Sequence, residues 1–185
     1  MHSERFKLIR EAVKKVNVPD PQSPDKRVEL ISAQGIHYFD EVVMACHSDE
    51  SLKLLHGIAE FDRSLLAAIP YQSNRAVLHR DANLLPRTKR CWAAWNYNLD
   101  ANVNDRATLT YNMNLLQGIK APVTFCVTLN NTQAIDPEKI LGVYQYDHPV
   151  YNHYTLAAQQ KRSTINGVNH TYYCGAYWYN GFHED

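Results

Sequence analysis

Between residues 74 and 148 the chain sets down five short β-type runs in close succession: "NRAVLHRD" (74–81), "CWAAWNYNL" (91–99), "ATLTYNMN" (107–114), "VTFCVTLN" (123–130) and "ILGVYQYDH" (140–148). Turns or short loops separate them, with no long helix in between. That spacing predicts a mostly antiparallel sheet. The flanks read differently. "FDEVVMAC" (39–46) carries an apolar run, Val42 to Cys46, without alternation, as a strand covered on both faces would. It leads straight into "HSDESLKLLHG", where Ser48 can cap a helix, Asp49 and Glu50 suit the positive end of its dipole, and Gly57 can end it. A strand entering a capped helix is the pattern of a parallel α/β sheet, whose ligands gather at the carboxyl ends of the strands.

The remaining segments fit around these two patterns. Residues 6–16, "FKLIREAVKKV", admit a helix, with Phe6, Ile9, Val13 and Val16 at helical spacing, or two short strands. "NVPDPQSPDK" (17–26), with three prolines, is a loop that "VNV" and "RVELIS" can flank as an antiparallel pair. "AEFDRSLLAAI" reads as a helix ending before Pro70, "YTLAAQQKR" (154–162) as another, and "HTYYCGAY" (170–177) as a returning strand. The fold class expected is therefore α+β, or mixed α/β. The two ends, 1–56 and 166–185, supply an α/β layer, and 57–165 supply an antiparallel sheet domain with flanking helices. Sites in such two-domain plans lie between domains.

Composition narrows the function classes. The 185 residues are 45% hydrophobic and 21% charged, a globular balance. Nineteen basic residues offset nineteen acidic ones, which argues against a nucleic-acid binder working through many phosphate contacts. No apolar run approaches the length a membrane-spanning helix needs. Cys46, Cys91, Cys126 and Cys174 stand singly in apolar or aromatic segments, so they are expected to be reduced, buried thiols of a cytoplasmic protein. The nine histidines show neither helical i, i+4 pairs nor a neighbouring cysteine pair, so no metal site is expected. Seven glycines form no Gly-rich phosphate loop.

Several long, unusual motifs carry a resemblance: "FDEVVMACHSDESLKLL", "AVLHRDANLLPRTKRCWAAWNY", "TYNMNLLQGI", "FCVTLN", "IDPEKIL", "YDHPVY" and "YYCGAYWYNGFHED". Together, over roughly residues 6–185, the chain resembles a family of bacterial NAD/FAD-binding oxidoreductases related to the flavin-containing amine oxidases. Members of that family open with a strand and a GxGxxG turn that seats the FAD pyrophosphate on a helix N-terminus, and continue beyond the "HED" motif. This sequence contains no GxGxxG. The resemblance therefore implies the C-terminal portion of a larger flavoenzyme, with FAD as the cofactor of the full-length protein and none held by this chain alone. It favours the extended reading of residues 6–16.

The same resemblance implies cofactor contacts at Val13, at Ala45 and Cys46 on the mouth of the "VVMAC" strand, and at Gly175, Ala176, Tyr177, Gly181, His183, Glu184 and Asp185. Gly175 would let backbone approach the flavin closely. A small-molecule substrate, a lipid among the candidates, would meet Trp92, Trp95, Asn112 and Trp178. No catalytic residue is assigned, and no lysine maps onto the one that amine oxidases place near the flavin. The chemistry implied is hydride transfer from a substrate C–H bond to flavin. Self-association through an uncovered face is expected of such a piece. The alternative is a stand-alone ligand-binding or scaffold module built on the antiparallel sheet.

Bland structural roles compete at each position. Residues three apart on a strand face opposite sides, so one of Trp92 and Trp95 is expected in the core and the other in a pocket. His79, Arg80 and Asp81 read best as a surface hydrogen-bonded turn, and Asn112 and Asn114 equally as ligand contacts or as a turn or cap. Asp147 and His148 read as a loop after a strand.

Overall fold

The computed structural model describes residues 7–98 and 108–181. In chain order they form β1 (Val13–Asn17), β2 (Val28–Ser32), β3 (Ile36–Phe39), β4 (Val42–Met44), α1 (Ser48–Leu54), β5 (Leu55–His56), α2 (Glu60–Ala67) and β6 (Tyr71–His79). There follow β7 (Trp95–Asn98), β8 (Thr108–Asn112), α3 (Met113–Gln117), β9 (Cys126–Leu129), β10 (Ile140–Pro149), α4 (His153–Gln159), α5 (Arg162–Ile165) and β11 (Thr171–Tyr173). The fold is α+β, and it separates into two compact units: residues up to Tyr71 together with Pro149 onward, and Gln72–His148. The division expected from the sequence, 57–165, takes in α2, α4 and α5. Yet Leu65, Leu66, Ala158 and Ile165 of these helices pack in one core with Val16, Val28 and Tyr173 of the first unit.

In the first unit, the Pro-rich loop does turn a hairpin. Asp20 Oδ1 accepts from the Gln22 amide at 2.8 Å, an Asx turn, and β1 pairs antiparallel with β2, Val16 opposite Leu30. Residues 13–17 are extended, so the strand alternative holds there. Gly35, at φ 147°, turns the chain into β3, which pairs antiparallel with β2. On its other side β1 takes β5 in parallel, Val16 beside Leu55. Apart from this sheet, β4 and β11 form a parallel pair, Val42 to Met44 beside Thr171 to Tyr173.

Three local expectations are corrected. β4 is not covered on both faces: Met44 on one face is buried, but Val43, on the opposite face, is 59% exposed. The N-cap of α1 is His47, whose amide donates to Glu50 Oε2 at 3.3 Å, while Ser48 sits inside the helix with its amide on Tyr71 Oη at 3.0 Å. The helix stops at Leu54 rather than at Gly57. Leu55 and His56 are drawn out to bond β1, and the turn comes after them.

The second unit is the predicted antiparallel sheet, with strand order β10-β6-β9-β8-β7. Two of its strands are shorter than their sequence runs. "CWAAWNYNL" begins as a 3-10 turn, Lys89–Cys91, which leaves Cys91 exposed rather than buried. "ATLTYNMN" stops at Asn112, whose Oδ1 caps α3 by accepting from the Leu115 amide at 3.2 Å, and Gly118 ends that helix at φ 64°. Asn114 pins the loop before β9, accepting from the Phe125 amide at 2.7 Å and donating to Val123 O at 2.9 Å.

Gly57 joins β5 to α2 at φ +85°, and a Cβ there would lie 2.8 Å from Val18 O. Both the dihedral and the backbone contact oppose a side chain. Gly57→Ala is expected to lower unfolding free energy by about 1–3 kcal/mol in urea melts.

Candidate functional site: an apolar cavity and a buried polar network

Alternation along β7, β8 and β9 sorts their side chains into two faces, and the registers align the faces across strands. One face carries the rows His79–Cys126–Asn112 and Val77–Thr128–Thr110–Asn96. The other carries Leu78–Val127–Tyr111–Trp95 and Ala76–Leu129–Leu109–Tyr97. The hydrophobic effect would ordinarily bury the second and wet the first. Here the polar face is buried: His79 and Cys126 are fully inaccessible, and Thr110, Asn112 and Thr128 are at most 2% exposed. The apolar face is covered in part, with Ala76 and Leu109 buried, and ends in open aromatics, Trp95 at 51% and Tyr97 at 64%.

Buried polar groups persist only when hydrogen-bonded, and these are. The Asp81 amide donates to His79 Nδ1 at 3.1 Å, which assigns the ring proton to Nε2, and Nε2 donates to Thr128 Oγ1 at 2.8 Å. Thr128 Oγ1 lies 2.8 Å from Thr110 Oγ1. Asn96 donates to Ala93 O at 2.7 Å and Thr110 O at 3.2 Å. Asp81 accepts from the Asn83 amide, the Asp136 amide and Lys139 Nζ at 3.1–3.2 Å. Burial raises its pKa, but these donors outweigh burial and hold the carboxyl below the usual range. Burial pushes the Cys126 thiol up to about 11, so it is inert at neutral pH. His79 and Asp81 thus belong to a buried network and not to the surface turn their sequence suggests, with Arg80 exposed between them.

The second candidate is an apolar cavity of about 290 Å³ in the first unit, where Val13 and Leu30 face Val43, Met44, Ala45 and Cys46. It borders the free edge of β4. In a parallel pair a given neighbour bonds alternate residues. Val42 and Met44 are the ones bonded to the β11 side, by Val42 N to His170 O at 2.9 Å and Cys174 N to Met44 O at 3.1 Å. The backbone groups of Val43 therefore point to the edge without a strand among the described residues.

The sequence-predicted residues divide accordingly. Val13, Ala45 and Cys46 line the one cavity. Gly175, Ala176, Tyr177 and Gly181 form a tight turn after β11. Gln159 Nε2 fixes it by donating to Tyr177 O and Tyr179 O at 2.9 and 2.7 Å. Gly175 has φ 151°, and a Cβ there would lie 2.6 Å from the Tyr177 ring. Tyr177 and Trp178 are core residues, 3% and 4% exposed. His183, Glu184 and Asp185 lie outside the described residues. Neither Trp92 nor Trp95 is core: Trp92 is half-buried beyond the 3-10 turn, donating to Pro86 O at 2.8 Å, and Trp95 is open. Asn112 is a helix cap.

Tyr97, Tyr111, Tyr144 and Tyr146 were not singled out from the sequence. Their signal was the alternation itself. Trp95 and Tyr111 meet edge to face at 5.6 Å, and Tyr144 stacks on Tyr146 at 6.2 Å. β10 lies beside β6, and Asn74 bonds His148 at 3.0 Å. That contact places Tyr144 and Tyr146 on the same face as Asn74, Ala76 and Leu78.

No protein-family model matches this sequence, and no curated protein is significantly similar to it. Its fold does have solved counterparts. It is similar to that of the CLA-producing fatty acid isomerase from P. acnes, with a TM-score of 0.57 and 13% identity over 89% of this chain and 42% of that one. It is similar also to that of cyclohexylamine oxidase from Brevibacterium oxydans IH-35A, with a TM-score of 0.53 and 12% identity over 90% of this chain and 42% of that one. The 185 residues thus span less than half the length of each of these proteins.

The folded His79 has a lowered pKa, with burial the dominant cause and the Asp81 charge opposing it. Unfolded histidine protonates near about pH 6.5, so below that pH the unfolded chain takes up a proton that the folded one resists. The stability this group confers is complete above about pH 6.5 and falls as pH drops, by up to about 1.4 kcal/mol per unit. Urea melts at neutral and mildly acidic pH should show a shallower acid loss in His79→Gln than in the parent. Separately, Thr128→Val should cost about 1–3 kcal/mol by stranding the His79 Nε2–H.

Proposed function

We propose that these residues form part of an FAD-dependent oxidoreductase of the amine-oxidase-like kind, which oxidises a C–H bond of an organic substrate by passing a hydride to flavin. The observation that carries this reading is the convergence of Val13, Ala45 and Cys46 on one apolar cavity beside the open end of β4. The likeness in fold to an oxidase supports it. The cavity fits one part of a dinucleotide and not the whole. Its volume lies at the small end of ligand pockets, its walls are apolar, and no lysine or arginine lines it to hold a phosphate. The Val43 backbone at the strand edge offers a donor and an acceptor to a heterocycle edge. Ala45 and Cys46 would continue that wall, with Val13 and Leu30 opposite.

Without a GxGxxG turn in its sequence, this chain by itself would neither grip the pyrophosphate nor turn over substrate. The free β4 edge would also make it prone to self-association. Four free thiols, Cys91 exposed among them, fit a reducing cytoplasmic setting. Among the described residues, no helix is long and apolar enough to cross a membrane.

The test is the visible spectrum of the protein purified from the full reading frame that contains these residues. It should retain flavin absorbance through desalting, and Ala45→Arg, which fills the cavity with a side chain, should lose it while keeping the parent's circular dichroism. Retention of full flavin content by Ala45→Arg would overturn the placement of the cofactor in this cavity.

A further inference from the structure

α3 and the segment after it hold aliphatic side chains out in water. Leu115 and Leu116 are 53% and 44% exposed, and Ile119 and Val123 are exposed with them. Every residue from 115 to 123 is exposed. Yet the segment is braced from within. The Met113 amide donates to Phe125 O at 2.9 Å and the Ile119 amide to Asn114 O at 3.0 Å. The Asn114 side chain ties both Val123 and Phe125 to the start of the helix. The backbone closes on itself, and the apolar side chains project from the end of β8 and β9.

Charge is spread unevenly about this tip. The chain as a whole balances nineteen basic residues against nineteen acidic ones. Residues 83–98 and 108–134, however, contain no Asp or Glu. Lys120 directly follows Ile119 in the exposed segment. Lys89 and Arg90 lie in the 3-10 turn that leads to Ala94, whose carbonyl accepts from the Asn112 amide at 2.9 Å, at the same end of the sheet. Lys89 Nζ lies over the Trp92 ring, 5.7 Å from its centre. Among the described residues, none of these three cations has a carboxylate partner.

Open aliphatic side chains call for hydrocarbon, and unpaired cations call for anions. An acidic protein surface would satisfy the cations but set charges against the leucines. An apolar groove would do the reverse. A bilayer containing anionic lipid offers both in layers, a negative headgroup plane with hydrocarbon directly beneath it.

We propose that this tip docks the protein on the surface of an anionic bilayer. Leu115, Leu116 and Ile119 insert to the boundary between headgroups and acyl chains, and Lys89, Arg90 and Lys120 lie against the lipid anions. The attachment is peripheral and reversible, and it does not rest on the flavin reading.

The test is flotation of the protein purified from the full reading frame, with vesicles of phosphatidylcholine alone or with about one third phosphatidylserine. The protein should rise with the anionic vesicles, stay behind with the neutral ones, and detach as salt is raised. Leu115→Gln combined with Leu116→Gln should weaken binding by about tenfold or more. Lys89→Gln, Arg90→Gln and Lys120→Gln together should weaken it by about as much. Tyr154→Ala, which removes an exposed aromatic from α4, should leave it unchanged. Circular dichroism melts verify that the variants fold, and Leu116→Ala, a milder truncation, replaces the double leucine variant if that one unfolds. No binding to the anionic vesicles, or equal binding to the neutral ones, would overturn the proposal. So would full binding by the leucine variant alongside loss in the cation variant, which is the behaviour of a purely electrostatic surface suited to an acidic protein.

Discussion

The three-residue parallel contact between β4 and β11 is the constraint on which the first unit depends. Val42 and Thr171 are 129 positions apart in sequence, yet they are register partners. Closing a loop of that length is slow to form but adds only logarithmically to the entropic cost. What holds the contact is the core beneath it: Met44, Tyr173, Tyr177 and Trp178 are buried with Leu55 of β5 and with Leu66 and Ile165 from the helical segments. Since β11 arrives late in the chain, the β1–β3 hairpins can form locally while the α/β part waits for residues 149–181. The same contact leaves the far edge of β4 open, and the apolar cavity lies there.

The second unit shows how polar burial can be sustained. A sheet with histidine, threonines and asparagines on its inner face must satisfy each donor and acceptor. The chain His79–Thr128–Thr110 does so with hydroxyls that both accept and donate. Asp81 is held by two backbone amides and an ammonium, and so remains ionised in spite of burial. Such a network tolerates few substitutions, because each member's partner is itself buried. The opposite face carries the apolar residues, of which Ala76 and Leu109 are buried and Trp95 and Tyr97 are open.

Much of the secondary structure was legible in the residues. Proline and aspartate in 17–26 specify the first hairpin, Pro70 ends the segment after α2, and the five β runs of 74–148 each become a strand. The failures have identifiable physical causes. Leu55 and His56 continue a helical pattern but are extended because β1 offers them parallel backbone partners. "CWAA" is apolar enough for a strand, yet Trp92 finds its acceptor on Pro86 in a turn. Of the candidate site residues, Val13, Ala45 and Cys46 converge, whereas Trp178 went to the core and Asn112 to a cap.

What the sequence determined by itself was periodicity. The alternations Trp-Asn-Tyr-Asn, Thr-Leu-Thr-Tyr-Asn and Cys-Val-Thr-Leu fix two chemically distinct faces, because successive side chains on a strand point to opposite sides. Which face is buried was decided only by tertiary structure. Local pattern carries the sign of the difference between faces but not the identity of what packs on them. Hydrophobicity alone would choose the leucines and tyrosines. A hydrogen-bond network assembled from residues 79, 81, 110, 128, 136 and 139 allows the polar face to be buried as well, and those partners lie too far apart in sequence for any local pattern to reveal them.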